Sequence, residues 1–222
     1  MSIHNGLLGV RSSALVAATV LSMACAESAR ADLIFIQSNS GASSEGLGSF
    51  TGSIEYAYDA IDGDGQLIIT LTNTSPAGNG GFLTGFVFNI DSADAGASAT
   101  LVSASPVTLI NAPNQSGEPF GNPYDAGAAL GGNFLGNGNP DQGVAIGTTG
   151  TFEFEVNASD ASTLTAASFL NGPFEYDFLV RFRGFGDGGS DKVPAEQIVP
   201  GPSALLMACL GVLVIGRRRR LQ

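Results

Sequence analysis

Three observations predict an all-β protein. Apolar and polar residues alternate with a period of two along short segments, no interior segment carries a convincing stripe of period 3.6, and clusters of Gly, Asn, Asp and Pro separate the segments. Successive side chains of a strand point to opposite faces, so this alternation marks strands with one face buried. Eight or so such strands joined by polar loops predict an antiparallel two-sheet sandwich, jelly-roll-like or Ig-like.

Taken in order, "DLIFIQ" is a short first strand. "SIEYAYDA" sets Ile54, Tyr56 and Tyr58 on one face, and "QLIITLTNTS" sets Leu67, Ile69 and Leu71 against Ile68, Thr70 and Thr72. "GFLTGFVFNID" places Phe82, Phe86, Phe88 and Ile90 together, and "ATLVSAS" and "GVAIGTT" are shorter candidates. "TFEFEVN" turns Phe152, Phe154 and Val156 inward and Glu153 and Glu155 outward. The longest alternation, "PFEYDFLVRFRGF", sets Phe174, Tyr176, Phe178, Val180 and Phe182 against Glu175, Asp177, Leu179, Arg181 and Arg183. "SDASTLTAASFL" is the one short helix candidate, lined by Leu164, Ala167 and Phe169. The Gly-, Asn- and Pro-rich stretch from Asn111 to Gln142 reads as a flexible excursion, with a binding loop as the alternative.

Composition excludes whole classes of chemistry. Between Asp32 and Val199 there is no His, Cys or Trp, so disulfides, Ser-His-Asp and Cys-His nucleophiles and His-ligated metals are all ruled out there. The same stretch holds 19 acids and three cations, Arg181, Arg183 and Lys192, a net charge of −16. Such a surface repels nucleic acid and anionic lipid. It stays dispersed by self-repulsion and could attract hard cations loosely.

Two places carry candidate chemistry. In "DAIDGDGQL", Asp62, Asp64 and Gly65 match positions 3, 5 and 6 of a calcium loop, but Ala60 and Leu71 stand where two oxygen ligands are needed. A hairpin turn is the favoured reading, with Ca²⁺ at Asp62 and Asp64 as the only cofactor entertained. The three cations gather beside Asp187 and Asp191, and their expected role is local neutralisation across strands, chiefly with Glu175 and Asp177. A carboxylate-pair hydrolase remains compatible with so many acids, although the aromatics fall mostly at core positions and Trp is absent.

Both ends read as addresses. Residues 1–31 have Arg11, an apolar run from Ala14 to Ala26, and small residues at Ala29 and Ala31, which is the layout of a signal peptide cut between Ala31 and Asp32. A secreted domain is expected over 32–198, followed by a distinct segment, 199–222. There, Pro200 and Pro202 interrupt regular structure, a charge-free run from Ser203 to Gly216 follows, and Arg217, Arg218, Arg219 and Arg220 close it. As a helix, that 14-residue run extends about 21 Å at 1.5 Å per residue, short for a hydrocarbon core of ~30 Å. The arginines would remain cytoplasmic, leaving the acidic domain outside.

This order of Pro-rich box, apolar helix and Arg cluster resembles the PEP-CTERM sorting signal, whose tail has also circulated under the label of an ice-binding C-terminal domain. Val199, Pro200, Gly201, Pro202 and Ser203 match its V-P-E-P-S box except for Gly201 in place of glutamate, residues 204–216 match its transmembrane helix, and Arg217 to Arg220 fall in its basic end, 217–222. The resemblance implies an exosortase-type membrane protease as partner, besides signal peptidase and the export machinery. It also implies transient anchoring in the inner membrane before display on the envelope or release. The role expected of the mature domain is structural or adhesive and not enzymatic, with exopolysaccharide as an associate. A carbohydrate- or calcium-binding extracellular module is the alternative, and a carboxylate-pair hydrolase follows it.

Overall fold

The computed structural model describes residues 31–199. The expected signal segment before Ala31 lies outside them. So do Pro200, Gly201, Pro202 and Ser203, the apolar run, and Arg217, Arg218, Arg219 and Arg220.

Among the described residues ten strands form, all paired antiparallel: β1 (Asp32–Ser38), β2 (Phe50–Asp59), β3 (Asp64–Asn73), β4 (Gly80–Phe88), β5 (Ser98–Ser105), β6 (Leu109–Asn111), β7 (Ala126–Leu130), β8 (Thr149–Asn157), β9 (Phe178–Phe185) and β10 (Ser190–Gln197). Their order in space is β5-β8-β3-β2-β1-β10-β9-β4-β7-β6. The expected all-β class is therefore present, but the two-sheet sandwich is corrected to one continuous sheet bent into a nearly closed barrel. Alternation reports only that one face of each strand is buried. Two separate sheets and one folded sheet satisfy it equally well.

The bend lies in β10. Its first part pairs with β9 from Ser190↔Arg183 to Pro194↔Leu179, and its last three residues pair with β1 from Ala195↔Ser38 to Gln197↔Ile36. Pro194 stands at the handover, where a residue without an N–H leaves no ladder donor unmet. At the opposite end of the sheet β5 and β6 approach without a ladder, and Leu101 N donates to Asn111 Oδ1 (3.1 Å) across the gap.

The inner face is the core. Ile54, Tyr56, Leu67, Ile69, Leu71, Phe152, Phe154 and Val156 point inward as their alternation predicts, and meet Phe86, Phe88, Phe178, Val180 and Phe182 from the other half. Aromatic rings lock the two halves. Phe86 lies edge-on to Phe152 at 4.7 Å and stacks on Phe178 at 5.7 Å, while Phe88 meets Phe154 edge-on at 5.3 Å.

Four local expectations are corrected. In β4 a register shift between Leu83 and Gly85 reverses the parity, so Leu83 rather than Phe82 joins Phe86 and Phe88 in the core. "GVAIGTT" is mostly turn, with one bridge at Val144↔Leu83. The helix candidate is two 3-10 turns, Ala161–Thr163 and Ala166–Phe169, burying Ala166 and Phe169 and leaving Ala167 half-buried. Phe174, Tyr176 and Asp177 precede β9 instead of belonging to it.

The stretch from Asn111 to Gln142 is no excursion. It contributes β7, whose Ala126, Ala128 and Leu130 enter the core, and it folds over the outer face of β4 and β9. There Tyr124 and Phe134 join Val87 and Leu179 in a second apolar cluster, walled by Phe120, Phe174 and Tyr176. Gly127 permits the approach of β7 to β4, because a Cβ there would stand 2.2 Å from the Phe86 carbonyl oxygen.

Candidate functional site

The β2–β3 hairpin carries the first predicted site. Asp59 Oδ1 accepts from Ile61 N (2.8 Å), Asp59 O accepts from Gly63 N (2.8 Å), and Gly63 takes φ +79°, so the sequence Asp-Gly-Asp-Gly closes a turn. Asp62 is exposed at its tip and Asp64 is half-buried opposite Asp59 in the ladder. Among the described residues no three His, Cys, Asp or Glu side chains converge as a metal site. Asp62 lies in the turn of the hairpin, and Asp64 opens β3.

This hairpin forms one wall of an open groove of about 1380 Å³, also lined by Asp32 at the start of β1, Tyr58 of β2 and Glu153 and Glu155 of β8. Gln66 Nε2 donates to Glu153 Oε1, and Glu155 faces solvent. The strand period places these acids outward while Phe152 and Phe154 fill the core. The lining can accept hydrogen bonds from hydroxyls or attract cations. Tyr56 stands beneath it with its hydroxyl donating to Ala161 O (2.7 Å); burial, with help from Asp160, pushes that phenol up to about 12.

The three cations have a different task from the one predicted. Arg181 Nη1 donates to Phe134 O (2.6 Å), Arg183 Nη1 to Asn137 O (2.7 Å), and Lys192 Nζ to Glu118 O. All three acceptors are main-chain carbonyls of the long connection between β6 and β8. Asp177, the expected partner, instead accepts from Asn89 Nδ2 (2.8 Å) and Phe174 N (3.1 Å) in a buried site. Burial, together with the neighbouring Arg183, lowers the Arg181 guanidinium to about 10.

Asp191, beside those cations in sequence, is fully buried and accepts from Ser43 Oγ, Ser44 Oγ and the main-chain N–H groups of Glu45, Leu47 and Gly48 at 2.7–3.0 Å. Burial alone would raise its carboxyl; the donors outweigh it and hold the group below the usual carboxylate range. Nothing in the sequence marked Asp191 for this role beyond a Ser-Ser-Glu-Gly turn far upstream. A paired clasp closes the loops near β5: Asp160 accepts from Ser92 Oγ and Ala93 N, and Asp94 accepts from Gly96 N and Ser159 N.

The two chain junctions flank the barrel. Ala31 and Asp32 are exposed, and β1 begins at Asp32, whose Oδ2 accepts from Ala166 N (2.9 Å). Ile198 N donates to Phe35 O (2.8 Å), and Val199 beyond it is 77% exposed. Among the described residues no helix is long and apolar enough to cross a membrane. Compared with known proteins, the chain matches no family model, no curated protein and no solved structure.

Proposed function

We propose that this chain is an exported protein sorted through its C-terminal segment, and that its ten-stranded domain serves a structural or adhesive role on the cell envelope or in the surrounding matrix. The observation that carries this reading is the order Val199-Pro200-Gly201-Pro202-Ser203, charge-free run, then Arg217 to Arg220, beginning directly after the last strand. In this reading the arginines halt export, residues 204–216 hold the chain in the inner membrane, and the P-x-P box offers extended backbone to an exosortase-type protease. Signal peptidase would cut between Ala31 and Asp32.

The fold supports this reading, since the Ala31–Asp32 bond lies at the start of β1 and the box begins at Val199, past the end of β10 at Gln197. The net charge of −16 left after processing suits a dispersed extracellular product and disfavours nucleic acid. The decisive measurement is the intact mass of the protein recovered from its native cells, which should begin at Asp32 and lack the arginines. Deleting Arg217 to Arg220 should leave the domain folded and unprocessed; normal processing of that deletion would defeat the proposal.

The groove beside the β2–β3 hairpin favours a second reading, a carbohydrate-binding module. Its acidic lining would select neutral or amino sugars and reject anionic polysaccharide. A glycan array read with the wild type and with Tyr58→Ala tests it, and equal signals from the two proteins would remove the groove from consideration.

A further inference from the structure

The outer face of β1 breaks the rule that the solvent side of the barrel is polar. Leu33 and Phe35, two residues apart on that face, are 48% and 55% exposed. The β1–β10 ladder pairs Ile36 with Gln197 and Gln37 with Glu196, so the next step sets Ile198 opposite Phe35, where its N–H bonds the Phe35 carbonyl. Directly paired residues share a face, as the Gln37 Nε2 to Glu196 Oε1 bond one step away also shows. Ile198 therefore stands beside Phe35, and exposed Val199 follows it. Three large apolar side chains, Leu33, Phe35 and Ile198, thus share this face at the corner where the chain leaves the barrel.

That corner lies close to the apolar run in the covalent chain. Three residues, Pro200, Gly201 and Pro202, separate Val199 from Ser203, and four extended steps reach at most about 14 Å. The rim of the patch is acidic: Glu55 pairs with Leu33 across β1–β2, and exposed Glu196 pairs with Gln37 on the same face. An equally acidic rim on a second copy would repel, and so would anionic headgroups. A zwitterionic lipid surface meets neither objection and buries apolar side chains at its boundary.

We infer that Leu33, Phe35 and Ile198 form a membrane-resting patch, which seats the barrel on a zwitterionic lipid surface while the tail still holds the chain. This rests on the membrane-held tail proposed above. Seating the barrel there fixes the Val199–Ser203 box at the bilayer surface, presented to a membrane protease and not to a soluble one.

The chain contains no Trp, so single replacements report their own surroundings. Phe35→Trp, Leu33→Trp and the control Val107→Trp would each be placed in the tail-bearing chain and reconstituted into phosphatidylcholine vesicles with and without brominated acyl chains. Val107 is 81% exposed and sits beside β5, four strand positions from β1, ~19 Å along the sheet. The expected result is that F35W and L33W emit at shorter wavelength and lose most of their emission to bromolipid, while V107W does neither. Chain that floats with the vesicles yet leaves F35W and L33W unquenched overturns the patch and spares the tail. Chain that fails to float removes the tail reading and the patch with it. Shielding of F35W without lipid, rising with protein concentration, assigns the face to a second copy and overturns the inference. Circular dichroism of each variant confirms that the barrel is intact before the emission is read.

Discussion

At the scale of single residues, Asp191 is the side chain on which the domain most depends. Five donors from one turn converge on a carboxylate with no solvent exposure, so the loop between β1 and β2 is folded around it. Asp191→Asn removes the charge and presents a donor to groups that are themselves donors, at an expected cost of roughly 3 kcal/mol. Because the folded-state pKa is lowered, the unfolded chain binds the extra proton first as pH falls, so the stabilisation is present above about pH 4 and is lost below it. Thermal unfolding should be nearly flat from pH 7 to 5 and decline steeply below about 4, with a shallower decline in D191N. Tyr56 acts at the other end of the scale. Its folded value of about 12 exceeds the ordinary 10, so its contribution is complete below about pH 10 and disappears as pH rises towards 12. The part of the tyrosinate absorbance that Tyr56→Phe removes should appear together with loss of structure, not before it.

At the scale of elements, the long connection between β6 and β8 is held by cations acting on main-chain oxygens. Arg181 is the most buried of the three, and its Nη1 bond to Phe134 O ties the connection to β9. Arg181→Met keeps the aliphatic stem and removes the donor, so residues 112–142 should become sensitive to limited proteolysis while the β2, β3 and β8 amides keep their protection from hydrogen exchange. The expected stability loss is about 1–3 kcal/mol. Strands whose alternation ran unbroken, β2, β3 and β8, were legible from sequence because nothing competed with the period of two. β4 was misread at Phe82 because one extra residue in a bulge reverses every side chain before it. β7 was missed because Ala-Gly-Ala-Ala-Leu is too small-sided to show an apolar face, although its small size is what lets it lie against β4. The hairpin at Asp62 and Asp64 was read correctly as a turn, whereas the partners of Arg181, Arg183 and Lys192 were not legible, since a main-chain carbonyl leaves no mark in a sequence.

At the scale of the whole molecule, β10 is, among the described residues, the only strand that joins β1 to β9 and hence one half of the sheet to the other. A chain stopped at Val199 should keep native near-ultraviolet circular dichroism, and a chain stopped at Gly189 should lose it, because the inner-face residue Val193 and the Asp191 anchor both leave with the strand. A single residue, Ile198, separates the end of the same strand from the box at Val199. Traction on the chain end would draw β10 along its own length against β1 and β9, straining the cross-strand bonds of both ladders in parallel instead of unzipping them one by one. If the C-terminal segment anchors the chain as proposed, a pull on the anchor is a load on the strand that closes the domain.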